Sequence, residues 1–94
     1  MQNQVSPKTQ RRWAIQHAAV RQAVATVIRD RRERAGMLQK HLAAALDIHL
    51  VSECNRESAG RGVDIAEIFR YAEVLGTTPM KLFAEICEAV KEAE

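Results

Sequence analysis

Between Gly36 and Gly76 the chain is cut into helix-length segments by breaks too short to let the segments drift apart. The stretch QKHLAAAL carries Gln39, Leu42, Ala43 and Leu46 at helical spacing and stops at a three-residue break, Asp47 to His49. A second short helix begins at Leu50. A turn that tight fixes the angle at which the second helix is presented.

The rest of the chain reads as helix as well. Ser6-Pro7 is an N-cap followed by proline at the first helical position. No Gly or Pro interrupts from there to Ala35, which predicts one helix of about 29 residues and about 43 Å. Gly36 ends it. Met37–Leu46 is the second helix, apolar at 38, 42, 45 and 46, and Leu50–Arg56 the third. SAGRG, residues 58–62, is a loop. Asp64 caps a fourth helix, with Ile65, Ile68, Phe69, Ala72 and Leu75 as its buried face. Gly76 closes that helix in the left-handed position, and Thr78-Pro79 starts a fifth. Leu82, Phe83, Ile86, Cys87 and Val90 form the stripe of the fifth helix. No strand-like alternation occurs, so the predicted class is all-α. Residues 1–6 are read as a disordered N-terminus, and 7–94 as a single domain with its core at 24–83.

Composition supports that class: hydrophobic residues are 47% of the 94, aromatics only 4%, and alanine is abundant. No apolar run reaches the roughly 18 residues of a membrane span. The N-terminus MQNQVSPKTQ is polar and shows no signal peptide, which together with two lone cysteines, Cys54 and Cys87, predicts a cytoplasmic protein with reduced thiols. His17, His41 and His49 are widely spaced, so neither a metal nor a cofactor is expected. No nucleophile–base–acid set and no phosphate-binding glycine loop can be assembled, and the chain is read as a non-enzyme.

The formal net charge is only +2, but it is unevenly spread. Residues 1–47 hold nine Lys/Arg against three Asp/Glu, and residues 48–94 hold five against nine. A basic half suits an anionic partner. The densest cluster, Arg29, Arg31, Arg32 and Arg34 with Lys40, is read as a phosphate-contacting edge.

Gln39, Leu42, Ala43, Leu46 and Ile48, then Glu57, then IAEIFRYAEVLGTTPMKLF with its Leu75, Gly76, Pro79, Leu82 and Phe83, together resemble the lambda-repressor/Cro-like (XRE-type) helix-turn-helix family. The resemblance covers roughly Val24 to Phe83. It implies a five-helix domain in which the second and third helices form the DNA-reading pair, here with an extended first helix. It implies a phosphate clamp at Gln39. Residues on or near the third helix, His49, Ser52, Asn55 and Arg56, are the candidates for base contact, since Asn reads adenine and Arg guanine. Lys40 and Arg61 add phosphate contacts. The chain departs from the family at Asp47, where a small residue is usual, and at Glu53 and Arg56, where apolar residues usually enter the core. Burying such charges costs several kcal/mol unless they are paired. The third helix is therefore expected to rotate or shift by one residue, turning Leu50, Val51 and Cys54 inward.

Two functions follow. The first is a small transcriptional regulator, of phage-repressor or antitoxin type, that binds double-stranded operator DNA as a homodimer. The alternative is a protein-binding adaptor or inhibitor that has lost base reading. The long first helix leaves an apolar stripe beyond the core, so Trp13, Val20 and Val24, with Ile86 and Val90 of the fifth helix, are the expected dimer contacts. The competing expectation is an N-terminal extension that kinks and folds back on its own domain.

Overall fold

The computed structural model describes residues 4–93. Among them there are five helices and no strand: α1 Pro7–Arg34, α2 Gln39–Leu46, α3 Leu50–Glu57, α4 Ile65–Val74 and α5 Pro79–Glu92. Local chemistry sets most boundaries. Ser6 Oγ accepts from the Thr9 amide at 3.2 Å and starts α1 with Pro7. Residues 4–6 lead into α1, and residues 1–3, the rest of the expected tail, lie outside the described residues. Asp64 and Glu67 cap α4 reciprocally, Glu67 N to Asp64 Oδ1 at 2.9 Å and Asp64 N to Glu67 Oε1 at 3.1 Å. Thr78 caps α5 in the same manner as Ser6 caps α1.

Two glycines close helices in the left-handed region, Gly36 at φ 70° and Gly76 at φ 71°. Asp47 does the same at φ 57° between α2 and α3. Aspartate tolerates that conformation better than most non-glycine residues, which explains how the tight turn survives without a glycine.

The core gathers Ala23, Val27 and Ile28 of α1, Leu42 of α2, Ile68, Tyr71 and Ala72 of α4, Leu75, and Leu82 and Ile86 of α5. α1 packs mainly on α5 and α4 on α5, while α2 pairs with α3. α1 is a single continuous helix, so the expected fold-back does not occur. Its first half overhangs the domain: residues 10–18 are all exposed. The molecule measures 48 × 26 × 21 Å with a radius of gyration of 14.8 Å. A compact chain of this length would have about 12 Å.

The apolar spacings of α4 and α5 were only half right about what is buried. Ile68, Ala72, Leu75, Leu82 and Ile86 are inside. Ile65, Phe69, Phe83 and Cys87 are outside, on a surface shared by the two helices.

Candidate nucleic-acid interface

α3 lies with its charged side down. Glu53 is fully buried, and Arg56 and Glu57 nearly so, whereas Leu50 is exposed and Val51 is 69% exposed. The expected rotation, with Leu50, Val51 and Cys54 inward, is therefore overturned. The reason is that each charge has a partner on another helix. Arg32 of α1 reaches Glu57 through three hydrogen bonds of 2.9–3.1 Å and donates from Nη1 to the Met37 carbonyl at 2.8 Å. Gln39 Nε2 adds a donor to Glu57 Oε1 at 3.2 Å, and Cys54 Sγ donates to Gln39 Oε1 at 3.3 Å. Arg56 pairs with Glu67 of α4 and donates to Tyr71 Oη at 3.3 Å. Tyr71 in turn donates to Glu53 Oε1 at 2.5 Å.

This network sets the protonation of α3. Burial, then hydrogen bonding to Glu57, raises the Glu53 carboxyl to about 8, against the pull of Tyr71 and Arg56. Glu53 and Glu57 stand four residues apart on one helical face. As two carboxylates they would only repel. With a proton on Glu53, its Oε2, otherwise buried without a partner, becomes a donor toward Glu57. For Glu57, burial opposes ionisation, but hydrogen bonds from Glu53, Arg32 and Gln39 outweigh it and hold its carboxyl below the ordinary range. Burial and the bond to Glu53 push the Tyr71 phenol up.

The outward face of α3 comprises His49, Leu50, Val51 and Asn55, all exposed, with Ser52 half-buried beside them. Arg61 is exposed on the following loop and donates to Ser52 Oγ at 3.5 Å. Lys40 is exposed at the start of α2. The structure thus brings His49, Ser52, Asn55 and Arg61 to one surface. It removes Arg56, which lies beneath α3, and commits the side chain of Gln39 to Glu57 and Cys54. Val51 is the surface residue that the sequence misassigned. Its signal was the departure at Glu53 and Arg56, taken as evidence for rotation when it was evidence for buried pairing.

The arginine cluster is also redistributed. Arg31 is ion-paired with Glu85 of α5, Arg34 lies 3.7 Å from the same carboxylate, and Arg32 is taken by Glu57. Of the five expected dimer contacts, Ile86 is in the core and Val24 and Val90 pack against it, while Trp13 and Val20 remain exposed. Among the described residues there is no cluster of side chains that could hold a metal ion, and no helix is long and apolar enough to cross a membrane. No family profile, no curated protein and no solved structure matches the chain.

Proposed function

We propose that this chain is a small DNA-binding transcriptional regulator, of phage-repressor or antitoxin type, that reads duplex DNA as a homodimer through the outward face of α3. One observation carries the reading. A two-turn helix is fixed at a three-residue turn and riveted from below by Glu53, Arg56 and Glu57, so that Val51 and Asn55 stand exposed on a rigid support with Ser52 beside them. Asn55 suits adenine in the major groove and Val51 suits the thymine methyl. The resemblance to the lambda-repressor/Cro-like family supports the same reading.

The homodimer contact draws on a different surface, the apolar patch of α4 and α5. Ile65, Phe69, Met80 and Phe83 line a shallow cavity of 190 Å³ there, with Met80 84% exposed beside it. These four side chains leave on the order of 500 Å² in water, close to the largest apolar patch a monomer usually shows. A projecting Met80 next to a cavity is self-complementary under two-fold symmetry, so we assign the patch to a second copy.

The reading is tested by selecting a preferred duplex from a random pool and comparing it with random duplex in a gel shift. Asn55→Ala narrows the gap between the two, because each good base contact is worth about 1–3 kcal/mol of discrimination. A wild-type protein that enriches no sequence and shifts no duplex contradicts the proposal.

A further inference from the structure

A groove runs along α1 and α5 as a row of cavities. At the overhang, Arg12, Ile15 and Ala19 face Val90 and Ala93 across 510 Å³. Next along α1, Ala19, Gln22 and Thr26 face Ala89, Glu92 and Ala93 across 370 Å³. Beyond these, Thr26 and Asp30 face Ala84, Glu85, Glu88 and Glu92 across 340 Å³. Neighbouring cavities share lining residues, first Ala19 and Ala93, then Thr26, Ala89 and Glu92, so the groove is continuous. From Arg12 to Asp30 it spans about 27 Å, at 1.5 Å per residue.

The two ends of the groove carry opposite charge. Lys8 stands one helical turn before Arg12, and Arg11 one turn before Ile15, so all three cations border the overhang end. They are exposed and, among the described residues, form no ion pair. The chain has no Asp or Glu from Gln4 to Arg29. At the other end stand Asp30, Glu88 and Glu92, with Glu33 continuing the row one turn past Asp30. These four are exposed and likewise form no ion pair among the described residues. Arg31 is held by Glu85, and Arg29 and Arg34 offset only two of the four carboxylates. This side of α1 is therefore its own complement when reversed. The acidic row would repel a duplex, and a foreign helix would need to carry the same inversion over the same length. A second copy carries both by construction, because a two-fold axis across α1 sets each end against the opposite end of its mate.

We infer that two copies lay their α1 helices antiparallel in each other's α1–α5 groove, with Lys8, Arg11 and Arg12 of each against the Asp30, Glu33, Glu88 and Glu92 end of the other, about a two-fold axis near Gln22. This contact is separate from the one assigned to the α4–α5 patch. By helical spacing Met80 and Phe83 stand on roughly the opposite side of α5 from Glu88 and Glu92, so both contacts can form at once, and α1 joins pairs into larger assemblies. Trp13 and Ile15 supply the exposed large apolar surface of the groove. The contact therefore rests mainly on charge. It forms at higher concentration than one through Phe69, Met80 and Phe83, and salt weakens it.

The experiment is sedimentation equilibrium of the full chain with a charge swap. At about 50 mM salt the mass should double between tens and several hundreds of micromolar, and the association constant should fall on the order of tenfold at about 500 mM. One variant carries Lys8→Glu, Arg11→Glu and Arg12→Glu; the other carries Asp30→Lys, Glu33→Lys, Glu88→Lys and Glu92→Lys. Each alone sets like charges against each other and should lose the step. An equimolar mixture restores opposite charges at both ends and should regain it. All seven positions are exposed, and an unchanged circular dichroism melt verifies the fold. Cross-linking supplies the geometry. In a Cys87→Ser background, a short bis-maleimide should join two copies of Gln22→Cys but not of His17→Cys, which is exposed on the opposite side of α1. The Phe69→Glu, Met80→Glu protein should show the same step from one copy to two, so failure of the α4–α5 contact is told apart from failure of this one. A wild type whose mass is constant to several hundred micromolar at low salt overturns the proposal. So do charge variants that associate alone as the wild type does, and a mixture that associates while Gln22→Cys stays uncross-linked.

Discussion

The underside of α3 and the outer side of α4–α5 invert the usual rule in opposite directions. Beneath α3 the chain buries Glu53, Arg56 and Glu57, while on α4–α5 it exposes Ile65, Phe69, Met80 and Phe83. The first inversion is satisfied inside the molecule, by Arg32, Tyr71, Gln39 and Glu67. The second is not, since no element among the described residues covers it. Buried charge that finds its partners at home holds α3 to one register. Exposed apolar surface without partners points to assembly.

The comparison breaks most readily at Arg32. Arg32→Met should cost about 3–5 kcal/mol, because it strands the Glu57 carboxylate without its main partner. Urea unfolding near neutral pH measures this, and a loss under 1 kcal/mol would mean that α3 is not held by the pair.

On the other side of the comparison, Phe69→Glu with Met80→Glu should convert a dimer to a well-folded monomer, whereas Trp13→Glu should leave the dimer intact. Sedimentation equilibrium at tens of micromolar decides between the two surfaces. The reverse pattern would move the two-fold contact to the α1 overhang.

The protonation of Glu53 sharpens the account of α3. The folded chain holds this proton to about pH 8, whereas an ordinary glutamate releases it near 4.5. Between those limits the folded state binds more protons, so this group's contribution to stability declines as pH rises from about 4.5 to 8. Glu57 and Glu85 act the other way: their carboxyls are held down, and their contribution is lost only as pH falls through the acid range. Glu53→Gln, neutral at every pH, should flatten the neutral-to-alkaline decline and stabilise the chain at pH 8. Urea midpoints at pH 5 and pH 8 provide the check, and an equal decline in both proteins would place the titration elsewhere.

The smallest expected effect is at the turn. Asp47 is left-handed at φ 57°, a conformation glycine adopts without a Cβ penalty. Asp47→Gly should stabilise the chain by up to about 1 kcal/mol, read as a rise in melting temperature. A fall would show that the aspartate side chain holds the turn by some other means.

Helix order and ends were legible because their causes are local. Ser6, Asp64 and Thr78 cap the helices they precede, and Gly36 and Gly76 stop the helices they follow. The faces were less legible because their causes are distant. Whether Glu57 can be buried depends on Arg32, 25 positions away, and whether Glu53 can depends on Tyr71, 18 away. Nothing in the spacing of α3 announces either partner. On α4 the apolar arc is wider than the core can cover, so spacing alone did not separate Ile68 and Ala72 from Ile65 and Phe69. The same limit affected the candidate site. Asn55, Ser52, His49 and Arg61 were placed on the surface where spacing put them, but Arg56 was lost to Glu67 and Val51 was gained.

The central claim, that α3 presents a DNA-reading surface, is tested most directly by fluorescence anisotropy of the wild-type protein on labelled random duplex, titrated from 50 to 200 mM salt. With several phosphates contacted, affinity should fall about 10³-fold or more over that range. Binding that is absent at 50 mM, or present but indifferent to salt, would contradict it.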